Sequence, residues 1–276
     1  MAETNRDPVS TLVDMGLERR EARWLVEEFL PGGDLEELPF LLRQAQRRLD
    51  GEPLQYIIGH WPFRSLDLDV DPRVLIPRPE TEELLDVALA SLDADVRSPL
   101  LLDLGCGSGA IGLAMVTELR ERGIVASLVC VDESSDALDV AKRNARKHHV
   151  LSASFVQSSW LAGLDESLQG RIDCIVSNPP YVGEAEFATL DDVLRYEPLG
   201  ALVAPDAHGQ AGFDDIALIL SEALTWLRPG GVIVMEHGEG QREAILSFAL
   251  AQGWTDCVDH DDLSGRPRTF QARRPW

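Results

Sequence analysis

The sequence predicts an α/β fold: a mostly parallel seven-stranded sheet with an antiparallel edge strand, preceded by a small helical N-terminal domain and a hairpin linker. Three observations carry this. From residue 100 onward, apolar segments of strand length alternate with helical patterns; the first fifty residues keep helical spacing; and a stretch of strict alternation lies between.

In the N-terminal part, Leu12, Val13, Met15 and Leu17, then Ala22, Leu25, Val26, Phe29 and Leu30, recur at helical spacing. Pro31-Gly32-Gly33 breaks the pattern. A second helical run passes through Leu35, Leu38, Leu41, Leu42, Ala45 and Leu49, with Pro39 in its first turn or at its start, where a missing N–H does no harm. Asp50-Gly51-Glu52-Pro53 marks a turn. From Trp61 to Ile76 the alternation of Leu66, Leu68 and Val70, with a turn at Asp71-Pro72, predicts a short hairpin. Pro77 and Pro79 exclude a helix until Thr81. The expected division is residues 1–60, a helical domain; 61–79, a β-hairpin linker; and 80–276, the main domain.

Within the main domain, strands are expected at 100–104, 128–131, 154–156, 172–176 and 232–236, the last after a turn at Pro229-Gly230-Gly231, with helices at 110–119, 135–148, 216–227 and 243–252. A final pair, 256–258 and 269–272, is joined by too short a loop for a crossover helix and so supplies the antiparallel edge. Such sheets collect their sites at the carboxyl ends of the strands.

Composition narrows the partners. With 47 acidic against 25 basic residues the formal net charge is −22, which opposes binding along a phosphate backbone and favours a basic protein partner. No apolar run approaches the roughly 20 residues of a membrane helix. The start, Met1 to Asp7, has no basic and apolar leader, so a cytoplasmic location is expected. Cys106, Cys130, Cys174 and Cys257 are scattered without a C-x-x-C pair, and the six His offer only the adjacent His148-His149, so no metal is expected. A monomer is expected.

Two motifs carry chemistry. Asp103-Leu104-Gly105-Cys106-Gly107-Ser108-Gly109 follows the first strand of the main domain and opens a helix, its glycines allowing a ligand to lie against the main chain. Gly107-x-Gly109-x-x-Gly112 formally matches a dinucleotide loop, but the upstream spacing Gly105-x-Gly107-x-Gly109, with Asp103 before it, resembles the loop of class I S-adenosylmethionine methyltransferases. Asp132, ending the next strand, is placed to accept from both hydroxyls of a ribose. Gln157-Ser158-Ser159-Trp160 falls where that class holds adenine; Trp160 either packs on the base or belongs to the core. The second motif, Asn178-Pro179-Pro180-Tyr181, ends an apolar strand in two prolines, which leave carbonyls free to face a ligand. Such acceptors suit an amide nitrogen: accepting both its N–H hydrogens holds it pyramidal and aims its lone pair. Asn178 Oδ1 and a Pro179 or Pro180 carbonyl are the expected acceptors, with Tyr181 stacked on the planar amide.

These residues resemble those of the HemK/PrmC family, the glutamine N5-methyltransferases of peptide chain release factors. N-P-P-Y is shared with enzymes that methylate adenine amines, but Gly51-Glu52-Pro53-Leu54-Gln55-Tyr56-Ile57-Ile58-Gly59, Val74-Leu75-Ile76-Pro77-Arg78-Pro79-Glu80-Thr81-Glu82 and Tyr196-Glu197-Pro198 with Ala201-Leu202 are similar to that family's further signatures. The resemblance implies a class I methyltransferase whose cofactor, S-adenosylmethionine, is held by Asp103, Gly105, Cys106, Gly107, Ser108, Gly109, Asp132, Glu133, Ser159, Trp160 and Asn178. It implies catalysis by Asn178, Pro179, Pro180 and Tyr181 on the glutamine of a release factor's Gly-Gly-Gln motif, with the helical domain docking that protein and no direct contact to nucleic acid or membrane. Ser159 departs from the family by standing where many relatives carry an acid. The alternatives are a glutamine methyltransferase acting on a large-subunit ribosomal protein and an adenine-N6 methyltransferase. Arg78, Glu80 and Glu82 read equally as a lid or as an acidic helix start after a Pro-fixed linker, and Glu236-His237-Gly238 as a solvated strand end.

Overall fold

In the computed structural model, residues 7–93, 96–187, 192–206 and 210–276 are described. The chain opens with helices α1 (Pro8–Asp14), α2 (Arg19–Phe29), α3 (Leu38–Leu49) and α4 (Leu54–Ile58). Asp7 caps α1 by accepting the Ser10 N–H, and Pro39 stands in the first turn of α3, where it interrupts no hydrogen bond. Their apolar faces enclose Leu12, Leu25, Leu41, Leu54 and Ile57. Helix α4 lies within the expected helical domain, after the turn at Asp50-Gly51-Glu52-Pro53, in a stretch for which the sequence predicts no element. Pro53 starts it and Gly59, at φ +88°, ends it, so its five residues are too few to show a period.

A hairpin of β1 (His60–Phe63) and β2 (Leu66–Asp69) follows, and then α5 (Pro79–Ser91). The helix starts two residues before the expected Thr81 because a proline in the first turn loses only an N–H that has no partner within the helix.

The main sheet is built from β3 (Leu100–Leu104), β4 (Ser127–Asp132), β5 (Ala153–Gln157), β6 (Ile172–Ser177), β7 (Leu227–Glu236), β8 (Thr255–Asp261) and β9 (Pro267–Arg273), in the order β5-β4-β3-β6-β7-β9-β8. The first five are parallel; β9 runs antiparallel between β7 and β8. The expected turn at Pro229-Gly230-Gly231 is a bulge inside β7, where pairing with β6 jumps from Ile172↔Leu227 to Cys174↔Val232.

Helices α6 (Ala110–Glu121), α7 (Ser135–Lys147), α9 (Asp214–Trp226) and α10 (Arg242–Gln252) cover the sheet, and a short α8 (Glu184–Phe187) lies after β6. Side chains alternate between its faces: Leu128, Cys130, Cys174, Val176, Val232 and Val234 pack with α5 and α6, while Val129, Val131, Ile175, Ile233 and Met235 pack with α9 and α10. Both faces being covered explains why the strands read as continuous apolar runs. Among the described residues no helix is long and apolar enough to cross a membrane.

Strand β3 lies between β4 and β6, so the connections leaving it diverge and open a crevice over their carboxyl ends. One side chain ties the hairpin to this crevice. Asn144 of α7, fully buried, accepts from Asp69 N at 2.7 Å and donates to Asp69 O at 3.0 Å and to Ser108 O at 2.9 Å. Asn144→Ala leaves these groups without their partner, and we expect it to cost about 2 kcal/mol of stability, read as a lowered urea midpoint. An unchanged midpoint would show that these three hydrogen bonds add nothing net to stability.

Candidate active site

The loop after β3 turns through Gly105, Gly107 and Gly109 at φ +67°, +52° and +81°, a left-handed path that side chains disfavour. Space reinforces the choice: a Cβ on Gly105 would stand 3.3 Å from the Trp160 ring, and one on Gly109 would stand 2.9 Å from Leu113 Cδ1. Gly112 brings α6 so close that a Cβ there would meet Asp103 Oδ2 at 2.8 Å. Its N–H donates to that oxygen. Asp103 is fully buried beneath the loop, and its other oxygen, Oδ1, meets no hydrogen-bond partner among the described residues. Burial, helped by the nearby Asp132 charge, pushes its pKa up to about 7.

The loop forms one wall of a cavity of about 480 Å³. Gly105, Cys106, Gly107 and Ser108 line it, as do Asp132 and Glu133 at the end of β4. Asp132 accepts from Gly107 N at 2.8 Å through Oδ2 and from Ser134 N at 2.9 Å through Oδ1. Burial raises its pKa, and the two N–H bonds pull it back. Its orientation is therefore fixed while lone pairs remain for further donors. Capping of α7 falls to Ser134, whose hydroxyl oxygen accepts the Ala137 N–H at 3.2 Å.

Trp160, at φ +46°, lines the same cavity, lies over Gly105 and donates its indole N–H to Asp215 Oδ1 at 2.8 Å. The structure thus gives Trp160 a face on the cavity and an anchor on α9. Ser158 lines the cavity beside it, whereas Ser159 is exposed and outside the lining. Gly109 and Asp103 also lie outside the lining and support the loop from behind.

The second wall comes from β6. Ser177 Oγ donates to Leu104 O at 2.8 Å, holding the ends of β3 and β6 level. Asn178 and Pro180 then reach the cavity, while Pro179 is buried behind them. The Asn178 amide donates to Thr81 Oγ1 at 3.2 Å, and Thr81 in turn donates to Glu236 Oε2 at 2.7 Å. Tyr181 sits outside the lining and donates its hydroxyl to Glu236 Oε1 at 2.9 Å, with the Arg268 guanidinium 5.8 Å from its ring centroid. Glu236 is therefore no solvated strand end: it is 2 % exposed at the end of β7, and His237 beside it is fully buried against Asp259. Nothing within ten residues of Glu236 announces this, because its partners come from α5 and from the segment after β6.

The remaining wall is a strap, Pro198 to Ala201, and the linker residues Val74 to Arg78. Buried Glu197 joins the two by accepting from Ile76 N at 3.0 Å and pairing with Arg78. Tyr196 donates to Asp50 O at 3.1 Å, linking the strap to the helical region. Glu82 accepts the Arg64 N–H at 3.0 Å and so holds the hairpin turn.

Residues 100–271 match a family model described as a methyltransferase domain. A release factor glutamine methyltransferase of Aliivibrio fischeri is 39% identical over 84% of this chain and 78% of that protein. Another of the same name, from Salmonella typhimurium, is 36% identical over 97% of this chain and 96% of its own length. Among solved structures, a methyltransferase from Pyrococcus furiosus shares the fold, with a TM-score of 0.54 at 16% identity over 85% of this chain and 99% of that one.

Asp103 gives a pH test. Its folded pKa of about 7 lies above the unfolded value of 3.8, so its contribution to stability is complete below the unfolded value and is lost as the pH rises through about 7. Asp103→Asn keeps an acceptor for Gly112 but carries no charge. Without cofactor, we expect this variant to gain on the parent by up to about 4 kcal/mol between pH 4 and pH 8, followed by thermal unfolding. A difference that does not vary with pH would mean that Asp103 titrates as an ordinary carboxylate.

Proposed function

The chain belongs to the release factor glutamine methyltransferases, and from that premise we propose that it methylates N5, the side-chain amide nitrogen, of the glutamine in a release factor's Gly-Gly-Gln motif, so tuning translation termination. The observation that carries the reading is the meeting of the glycine loop with Asn178 and Pro180 on one cavity at the ends of adjacent strands.

The cofactor is S-adenosylmethionine, which supplies an electrophilic methyl group on a sulfonium. The residues fit it. Gly107 leaves open space where a Cβ would stand, Asp103 Oδ1 is an unsatisfied buried acceptor beneath the loop, and Asp132 and Glu133 make the wall acidic. Next to the glycine loop such a wall favours the positive charge of a sulfonium. In this reading Asp132 accepts from ribose hydroxyls, and Trp160 and Ser158 border the base.

Asn178 Oδ1 and the carbonyl of Pro179 or Pro180 accept the two N–H hydrogens of the glutamine amide. The prolines fix those acceptors before substrate arrives, so little ordering remains to be done at the moment of reaction. Tyr181, outside the cavity lining, supports the motif with its hydroxyl on Glu236. The nitrogen sheds a proton as it gains the methyl group, so no strong base is required. Residues 1–60 dock the release factor, 61–79 link, and 80–276 carry the chemistry. A monomer acting in the cytoplasm on a basic protein partner, without direct contact to nucleic acid, suits the net charge of −22.

With labelled S-adenosylmethionine and a full-length release factor, we expect methyl transfer that disappears when the Gly-Gly-Gln glutamine is changed to Ala. Asn178→Ala should lower kcat by about a hundredfold or more with cofactor binding retained. Transfer that persists without that glutamine would move the target elsewhere.

A further inference from the structure

Glu236 stands where two hydrogen-bond paths converge. One oxygen takes the Tyr181 hydroxyl at 2.9 Å; the other takes the Thr81 hydroxyl at 2.7 Å. Thr81 is 4% exposed in the first turn of α5, fixed by the helix start at Pro79, and it also meets the Asn178 amide nitrogen at 3.2 Å. Arg268, on β9, supplies the compensating positive charge and donates to His237 O at 3.1 Å. Burial raises the pKa of Glu236, while the two hydroxyl donors and Arg268 pull it back. A buried carboxylate without such partners would cost several kcal/mol.

We infer that Glu236, acting through Thr81, is a positioning residue that sets which end of the Asn178 side-chain amide faces the reacting nitrogen. The inference rests on the reading that Asn178 accepts from the substrate amide. The two ends of a carboxamide have nearly the same shape, so packing discriminates poorly between them and hydrogen-bond polarity decides. A carboxylate can only accept. Thr81 has one proton and gives it to Glu236, so toward Asn178 it offers only a lone pair. That lone pair takes the NH2 end, and Oδ1 is left for the substrate. Were the amide reversed, its NH2 would face the NH2 of the glutamine, donor against donor. Tyr181 draws its orientation from the same carboxylate, so one buried charge orders both polar side chains of the motif.

The test uses the full-length enzyme with Glu236→Gln, Thr81→Val and Thr81→Ser. Gln can donate to Thr81 and so reverse the chain of polarity; Val keeps the shape of Thr without the hydroxyl; Ser restores the hydroxyl. We expect kcat on the release factor to fall about tenfold to a hundredfold in Glu236→Gln and Thr81→Val, with KM and the Kd for S-adenosylmethionine within about threefold of the parent. Thr81→Ser should stay within about threefold of the parent kcat. Unchanged kcat in the first two variants would overturn the inference, as would a Ser variant as impaired as Val, or a loss confined to KM or Kd. If Glu236→Gln does not fold, the Val against Ser comparison decides. A parent enzyme that transfers no methyl to the release factor would sink the functional reading; an active parent with a dead Asn178→Ala and a fully active Glu236→Gln would sink this inference alone.

Discussion

Strand β3 pairs with β6 so that Leu104 faces Ser177, and the Ser177 hydroxyl closes on the Leu104 carbonyl. The cavity depends on that register. The loop that leaves Leu104 and the Asn178-Pro179-Pro180 segment that leaves Ser177 emerge at the same height, side by side. Because side chains alternate along a strand, a slip of one residue would exchange Asp103 with its apolar neighbours and carry Val176 to the other face. The covalent stiffness of the two prolines then keeps the second segment from wandering. Chemistry that relies on positioning has its first requirement met by sheet pairing, before any side chain of the motif is considered.

Around that edge, the walls are held by contacts distant in sequence. Glu197 binds Ile76 N and Arg78, Tyr196 reaches Asp50 O, and Asn144 ties Asp69 to Ser108. The helical region, hairpin and strap are thereby coupled to the cavity through a few polar groups, of which Glu197 and Asn144 are buried. Such groups are expensive when unpaired, so each favours one arrangement of its neighbours. This gives the family signatures around Pro53, Pro77 and Glu197 a physical content: they supply turns and partners that close the cavity on the side away from the sheet.

The fold class, the strand series and the two chemical motifs were legible because they are local. Alternating apolar runs, a glycine loop after a strand and a pair of prolines each declare themselves within a dozen residues. Glycine spacing with Asp103 before it already set this loop apart from the dinucleotide loop it formally matches; that Asp103 sits behind the loop, outside the cavity lining, needed the fold. Helix α4 was too short for periodicity, and the bulge at Pro229-Gly230-Gly231 looked like a turn because the same residues serve both. Ser158 and Ser159 were indistinguishable as neighbours on a loop, since the positive φ of Trp160 redirects the chain just after them. Glu236 was illegible for a different reason: Thr81 lies 155 residues away and Tyr181 lies 55 away, so no local pattern marks the carboxylate as buried.

Asp103 and Glu236 share one physical situation with different outcomes. Each is a fully buried acid at the carboxyl end of a strand, each with its pKa raised first by burial. Glu236 has both oxygens engaged by hydroxyl donors and a cation nearby, so its charge is internally compensated and orders side chains. Asp103 has one oxygen on Gly112 and one with no partner among the described residues. Its compensation is incomplete among the described residues, and a cation held in the cavity in front of the loop would act on it through space. Incomplete compensation lowers the stability of the free protein and raises the gain on binding, whereas complete compensation stiffens the reaction centre whether or not ligand is present. The two acids therefore hold different parts of the framework: Asp103 supports the glycine loop from behind, and Glu236 orders the hydroxyls of Thr81 and Tyr181.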